Sequence, residues 1–392
     1  KEGAMAGWGF SRFWWCGLIV LAALAVGTRP AEAATDDFVS TWRTTTANER
    51  ITLPLFATGQ YDFRVDWGDG RIDTIKTPAA AHEYASPGDH VVTISGTLKG
   101  WSFSGGGDRL KIVRISNWGD LNFGNFGGAF QGASNLECDA TDAPDLTGVT
   151  TLKWTFYGAS KFNCPLNSWD VSNVTNLFGM FQEATTFNQD LDQWDTGNVL
   201  GMSQVFQGAS AFNGNVTTWD TSEARAFTAT FADATGFDQP IGGWDVSSAV
   251  DMDGMFQAAA SFNQPLDHWN VSRVESLDYM FGMASSFNEP LDHWNVSRVK
   301  SIRSMFWMAS SFDQDLGAWD LQSVTSPGPH PFLSGSGMSP ATYGRTLIGW
   351  ARNGHAPMLL KIDNSGLTYP CAAESARQRL TTTYGWTIIG DL

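Results

Sequence analysis

The chain has 392 residues, of which 42% are hydrophobic, 13% aromatic and only 16% charged, and its formal net charge is −16. That apolar and aromatic content excludes a disordered chain, because it is enough to offset the entropy of ordering a core. The acidic balance, with no contiguous Lys/Arg cluster against it, argues against nucleic acid and anionic membrane as partners.

At the N-terminus Arg12 precedes an apolar run over residues 13–26, and Ala31-Glu32-Ala33 follows. The run is shorter than the about 20 residues a membrane span needs. With a small-x-small site after it, residues 1–34 read as a secretory signal peptide, a retained anchor being the alternative. The expectation is a secreted or cell-surface protein with no membrane span in the mature chain.

Residues 35–116 have strand grammar. Segments 51–55, 61–67 and 90–95 alternate apolar and polar, and Gly68-Asp69-Gly70 and Pro87-Gly88-Asp89 separate them as turns. The pattern predicts a β-sandwich. Asp66 and Asp69 flank a turn, where their oxygens either bond the backbone or ligate calcium; two acids are few for an ion that takes 6–8 oxygens. His82 and His90 read as strand and turn residues without a visible partner. The run Val65-Asp66-Trp67-Gly68-Asp69-Gly70, with His82-Glu83-Tyr84 and Pro87-Gly88-Asp89 after it, resembles the PKD family of extracellular immunoglobulin-like modules. The resemblance implies a spacer or interaction module.

Residues 117–326 are an array. Trp169, Trp194, Trp219, Trp244, Trp269, Trp294 and Trp319 recur every 25 residues, and Phe130 and Phe156 mark two degenerate copies before them. Such a period means that each repeat stacks on the next. Within one copy, Val274, Leu277, Met280, Phe281 and Ala284 have the spacing of one helix face, and Ser272 with Glu275 forms a capping box before it. The segment from Phe287 to Val296 is too short for a helix and reads as turn and strand. The predicted fold is therefore an α/β solenoid of leucine-rich-repeat type, of about eight coils, preceded by the β-sandwich.

Two polar ladders accompany the apolar one. Asn163, Asn188, Asn213, Asp238, Asn263, Asn288 and Asp313 form the first; Asp170, Asp195, Asp220, Asp245, Asn270, Asn295 and Asp320 form the second. Both read as turn ladders that satisfy backbone groups, against the alternative of a ligand or calcium stripe. The tryptophans read as buried, against the alternative of a sugar-stacking stripe. Cys138 and Cys164 hold equivalent places on adjacent coils, which puts them within reach of a disulfide or leaves them as two small thiols. Nothing has the spacing of a metal site.

The template F-N-x-P-L-x-x-W-[D/N]-V-S-x-V…M-F-x-x-A-x-x-F-N resembles the BspA-like surface-protein repeats, and the resemblance covers about residues 117–326. Residues 327–392 are read as a closing cap: Pro327, Pro329 and Pro331 end the pattern, helices follow near 340–352 and 371–384, and a strand near 386–389. The segments 343–350 and 372–389 are similar to the ending of those proteins. The resemblance implies a surface or secreted adhesion protein without catalytic residues or cofactors.

The residues that break the small polar pattern are the expected binding positions: Phe178, Tyr279, Met283, Arg303, Trp307 and Met308, with Arg225 beside them. The expected partner is a protein or glycan; the alternatives are a spacer without specific ligand and, least favoured, a cell-wall or polysaccharide hydrolase. Catalysis needs unlike groups converging on one atom. His268 and His293 are stacked equivalents, and His82, His90, His330 and His355 are scattered, so no enzyme is expected.

Overall fold

The computed structural model describes residues 36–325, 330–352 and 356–392, together with the backbone alone at the strand residue His330. The proposed signal segment 1–34, Pro327, Pro329 and His355 lie outside the described residues. Residues 35–392 form one compact unit.

The N-terminal strands make one large sheet and a separate two-stranded pair. They are β1 (Phe38–Thr44), β2 (Glu49–Thr52), β3 (Leu55–Asp66), β4 (Ile72–Ile75), β5 (Ala81–Tyr84), β6 (Gly88–Trp101), β7 (Ile112–Asn117), β8 (Leu121–Asn122) and β9 (Glu137–Cys138). Seven of them run in the order β4-β3-β6-β1-β7-β9, with β8 beside β6, while β2 and β5 pair separately. Alternation decides which face is inward: Tyr61, Phe63 and Val65 on β3 and Val92, Ile94 and Leu98 on β6 are buried. They pack with Trp42, Trp67, Trp101 and Trp118, all fully buried. The sheet is antiparallel at β1, β3, β4, β6 and β7 but parallel where β8 joins β6 and β9 joins β7. The large sheet is thus open and mixed and its edge runs into the repeats, with the short β2–β5 pair apart from it, rather than the antiparallel sandwich the alternation suggested.

The α/β class assigned to the array is also corrected. Among the described residues the α-helices are α1 (Pro340–Arg352) and α2 (Glu374–Thr382), both beyond the repeats. Each coil is built of turns. Isolated parallel bridges run from Thr151 through Asn176, Gly201, Ala226, Asp251 and Ser276 to Ser301, one per coil. After each bridge, alternate N–H groups bond the next coil: Leu152 to Asn176, Trp154 to Phe178, Phe156 to Met180 and Gly158 to Gln182. The intervening ones, at Thr155, Tyr157 and Ala159, close turns on the carbonyl three residues back. Two left-handed residues, four apart, set this course. They are Tyr279 (φ 58°) and Met283 (φ 59°) in one coil, and Trp154, Gln204, Ala229 and Ser304, or Glu183, Asp233, Ala258 and Met308, in others. A right-handed helix cannot contain such residues. The capping box fails with the helix: Ser272 donates its hydroxyl to Asn270 Oδ1 at 2.7 Å, and Glu275 pairs with Lys300 at 2.6 Å.

Inside, the coils are held by aromatic columns. Phe156, Phe181, Phe206, Phe231, Phe256, Phe281 and Phe306 stack at 5.5–5.8 Å. A second column from Phe162 to Phe312 lies against the first, with rings as close as 3.8 Å. All are buried. At the far end β10 (His330–Pro331), β11 (Lys361–Asp363) and β12 (Thr387–Ile389) form a parallel sheet, and α1 packs on α2. Trp350 of α1 donates to Leu316 O at 2.9 Å and so joins the cap to the last coil.

The left-handed positions make a stability prediction of either sign. An L-residue pays about 1–2 kcal/mol there, and glycine gives back part of that through its unfolded-state entropy. Ala258→Gly is expected to stabilise the protein by about 0.5–1 kcal/mol. Gly208→Ala, where an added Cβ has its nearest neighbour at 3.4 Å, is expected to destabilise it by a similar amount. Denaturant midpoints measure both; equal signs would show that φ is not what these positions cost.

Candidate interaction face

Most polar groups of the repeat are consumed by the fold. Each oxygen of the first ladder accepts the backbone N–H one coil on: Asn163 from Asn188, Asn188 from Asn213, Asn213 from Asp238, and so to Asp313 and Ser339, at 2.7–2.9 Å. Those of the second close turns inside their own coil, as Asp170 does on Ser172 and Asp220 on Ser222. The indole N–H groups of Trp194, Trp219, Trp244, Trp269, Trp294 and Trp319 all donate to carbonyls of the preceding coil. A group that every coil needs for its own backbone is occupied, so recognition must come from positions where the coils differ.

Those positions lie on the face made by the left-handed turns. In each coil the residues before and at each left-handed centre line this face, some exposed, such as Trp154, Tyr279 and Arg303, and some covered, such as Ser203, Asp278 and Ser304. One column reads Lys153, Phe178, Ser203, Thr228, Asp253, Asp278, Arg303; its neighbour reads Trp154, Gly179, Gln204, Ala229, Gly254, Tyr279, Ser304. Two further columns end in Trp307 and Met308. The middle coils offer small residues and amides, such as the Gln182–Gln207 hydrogen bond at 3.0 Å. The ends are aromatic.

The structure divides the six predicted binding residues between those ends. Tyr279, Met283, Arg303, Trp307 and Met308 fall together on the last two full coils, with Tyr279 40% and Met308 52% exposed. The backbone joins them pairwise, Tyr279 N–H to Arg303 O and Met283 N–H to Trp307 O, both at 2.7 Å. Phe178 is half-buried at the other end, edge-on to Trp154 at 5.7 Å. Trp154 is 36% exposed, and Lys153 lies 5.4 Å from its ring centre. Sequence reading missed Trp154 because its coil precedes the tryptophan ladder; the signal was a large aromatic at a place where later coils carry Gly179 and Gly254. Arg225 is exposed on a different column.

At the end of the face nearest the cap, charge is matched between coils. The Arg303 guanidinium binds the buried Asp278 carboxylate at 2.7 Å, and the Arg303 N–H adds a second bond to it. Asp278 N–H in turn donates to Asp253 Oδ1 at 2.8 Å. Burial pushes the Asp253 carboxyl up, Asp251 and Asp278 add to this, and its hydrogen bond with Ser276 opposes it.

Elsewhere titratable groups form separate small pairs. His268 and His293 flank Asp267 at 4.0 and 3.7 Å, and their side chains are 90% and 73% exposed. His82 bonds Asp69 at 2.7 Å and stacks on Trp67, a partnership hidden by the separation of the two residues in sequence. Burial opposes ionisation of Asp69, but the bonds from His82 and the Arg71 N–H outweigh it and hold its carboxyl low. Asp66 and Asp69 accept the Gly68 and Arg71 N–H groups, the turn geometry. Cys138 and Cys164 are joined as a disulfide with Cα atoms 5.1 Å apart, and Cys371 is free and exposed. No group of three or more metal-ligating side chains occurs among the described residues, nor any helix long and apolar enough to cross a membrane. An open groove of about 670 Å³ lies between the last coils and α1, lined by Asp292, Asp315, Arg345 and Arg352 among others.

A family model described as "Mycoplasma protein of unknown function, DUF285" matches twice, over residues 124–242 and 227–329. Together the matches span more than half of the chain and the whole face described above. No curated protein is similar at a significant level.

Proposed function

The chain belongs to the DUF285 family, and from that premise we propose that it is a secreted or cell-surface repeat protein that binds a partner macromolecule, without catalysis. The match supports a repeat-containing protein; the BspA-like and PKD-like resemblances are the finer reading, in which residues 35–116 serve as a spacer or a second interaction module. The observation that carries the proposal is the contrast within each coil. Ladder positions repeat because the backbone needs them, whereas one face abandons the repeat and exposes Trp154, Tyr279 and Met308. Solvent-facing aromatic and methionine side chains cost solubility and stabilise no core, which is the pattern of an interface.

The test is binding of the protein to immobilised extracellular-matrix proteins and glycans. Tyr279→Ser with Trp307→Ser is expected to weaken binding at least about tenfold, the loss of two interface anchors, with the melting temperature unchanged. Absence of any binding would favour a spacer. Hydrolytic turnover that disappears with His268→Ala and His293→Ala would replace the reading with an enzyme.

A further inference from the structure

The array is poor in positive charge, and what it has is gathered. Between residues 162 and 344 the basic residues are Arg225, Arg273, Arg298, Lys300 and Arg303, four of them on two adjacent coils. Their spacing along the chain hides the cluster; the 25-residue stacking assembles it. Two are matched by acids of the preceding coil: Lys300 with Glu275 at 2.6 Å, and Arg303 with Asp278 at 2.7 Å. Arg273 and Arg298 are not. They occupy one column on neighbouring coils, both are exposed, and neither forms an ion pair among the described residues. Arg298 acts only through its field, on Glu275, which Lys300 already holds. The column continues as Ser248 on one side and Ser323 on the other. Like charges placed directly opposite one another disfavour the stack. The other basic residues of the cluster, Lys300 and Arg303, are matched, so this pair is an exception that an anion would relieve.

We propose that this ridge is a docking site for an acidic peptide segment lying extended along the array, its alternate carboxylates on Arg273 and Arg298. The proposal rests on the binding function above and names the partner's chemistry. Three observations carry it. The first is charge: once Lys300 and Arg303 are paired, Arg273 and Arg298 are the basic residues left over in the cluster, and the protein's overall negative charge is screened beyond about 8 Å at physiological salt. The second is spacing. Equivalent rings on these two coils are 5.7 and 6.1 Å apart, and side chains on one face of an extended peptide recur every about 6.6–6.8 Å. Flexible arginine arms absorb the difference, and a guanidinium binds a carboxylate through two parallel bonds. The third is the neighbouring surface. The two coils that carry these arginines also carry Tyr279, Met283, Trp307 and Met308, and methionine-rich surfaces adapt to varied apolar side chains.

The probe is a fluorescein-labelled peptide of about nine residues, long enough to cross the ridge extended, in which glutamate alternates with leucine. It is titrated by fluorescence polarisation into the full chain and into Arg273→Ala/Arg298→Ala, both sites being exposed and outside the core. The expected result is saturable binding that weakens about tenfold in the double variant, as two exposed ion pairs of about 0.7 kcal/mol each would give, and that weakens with added salt. A peptide of the same composition with its glutamates in one block is expected to bind several-fold less tightly. Equal affinity of the two peptides, or of the two proteins, would overturn the proposal. So would a carboxylated polysaccharide that binds the ridge and displaces the peptide at lower concentration. If matrix binding is lost in Tyr279→Ser/Trp307→Ser but kept in the arginine variant, the binding function stands and the acidic-peptide site falls.

Discussion

Trp244→Ala is expected to destabilise the protein by about 3–5 kcal/mol, the range for truncating a large buried aromatic. Trp244 is 3% exposed and sits in the middle of the array. Its ring stacks on Trp219 at 6.0 Å and leans on Phe227 and Phe231 at 6.2 and 5.9 Å. Its indole N–H donates to Val216 O at 3.0 Å. One truncation therefore opens a cavity between two coils and removes one of the two hydrogen bonds that Val216 O accepts, the other coming from the Trp219 N–H at 3.3 Å. Trp244→Phe separates the two costs: it keeps an aromatic filling but removes the donor, at about 0.5–1.5 kcal/mol for the lost hydrogen bond plus some lost volume. In an array whose units contact only their neighbours, a break in the middle uncouples the halves. The denaturant transition of Trp244→Ala is therefore expected to broaden as well as shift. An unchanged melting temperature with lost ligand binding would instead place the tryptophan ladder in recognition.

The tryptophan period was legible because each indole fills the core and, from Trp194 to Trp319, bonds the coil before it. The coil's internal structure was not. Leu277, Met280, Phe281 and Ala284 point inward and Asp278, Tyr279, Gly282 and Met283 lie between them, a period of four that closely imitates the 3.6 of a helix. What distinguishes the two is the left-handed residue every fourth place. Its sequence signal is glycine at Gly158, Gly179, Gly208 and Gly254, and that signal is diluted because other coils accept the strain with Tyr279, Met283 or Ala258 at the same places. The sandwich was over-read for a related reason. Alternation identifies a half-buried strand, but whether its sheet closes on a second sheet or continues into the next element is decided by β8 and β9, two-residue strands with no pattern of their own.

The candidate face was half legible. Tyr279, Met283, Trp307 and Met308 stand out against the template because flanking coils match it well. Trp154 does not, since its own coil is degenerate. The unmatched pair Arg273 and Arg298 is unremarkable in one dimension; only knowing that Glu275 and Asp278 are already taken, by Lys300 and Arg303, leaves those two arginines over.

The cap supplies the second large effect. Arg377→Ala is expected to destabilise the protein by about 3–5 kcal/mol, because it strands a buried carboxylate. Arg377 of α2 binds Asp391 through two parallel bonds of 2.8 and 2.6 Å, and the Asp391 side chain has no solvent exposure. The Tyr343 hydroxyl donates to the same carboxylate at 3.0 Å and accepts from Asn364 at 3.1 Å. Burial and the Asp391 charge push the Tyr343 phenol well up, so it stays a donor. The network thus ties α1, α2, the residue after β11 and the last residues together, over a helix whose Trp350 reaches back to the final coil. The cost comes chiefly from the unpaired charge, so removing both partners is gentler than removing one. Arg377→Met with Asp391→Leu is expected to recover most of the loss, short of the about 1–3 kcal/mol for the Tyr343 hydroxyl that loses its acceptor. Chemical denaturation of the single and double variants checks this. A double variant no more stable than Arg377→Ala would mean that the hydrogen-bonded geometry, rather than the charge, holds the cap on the array.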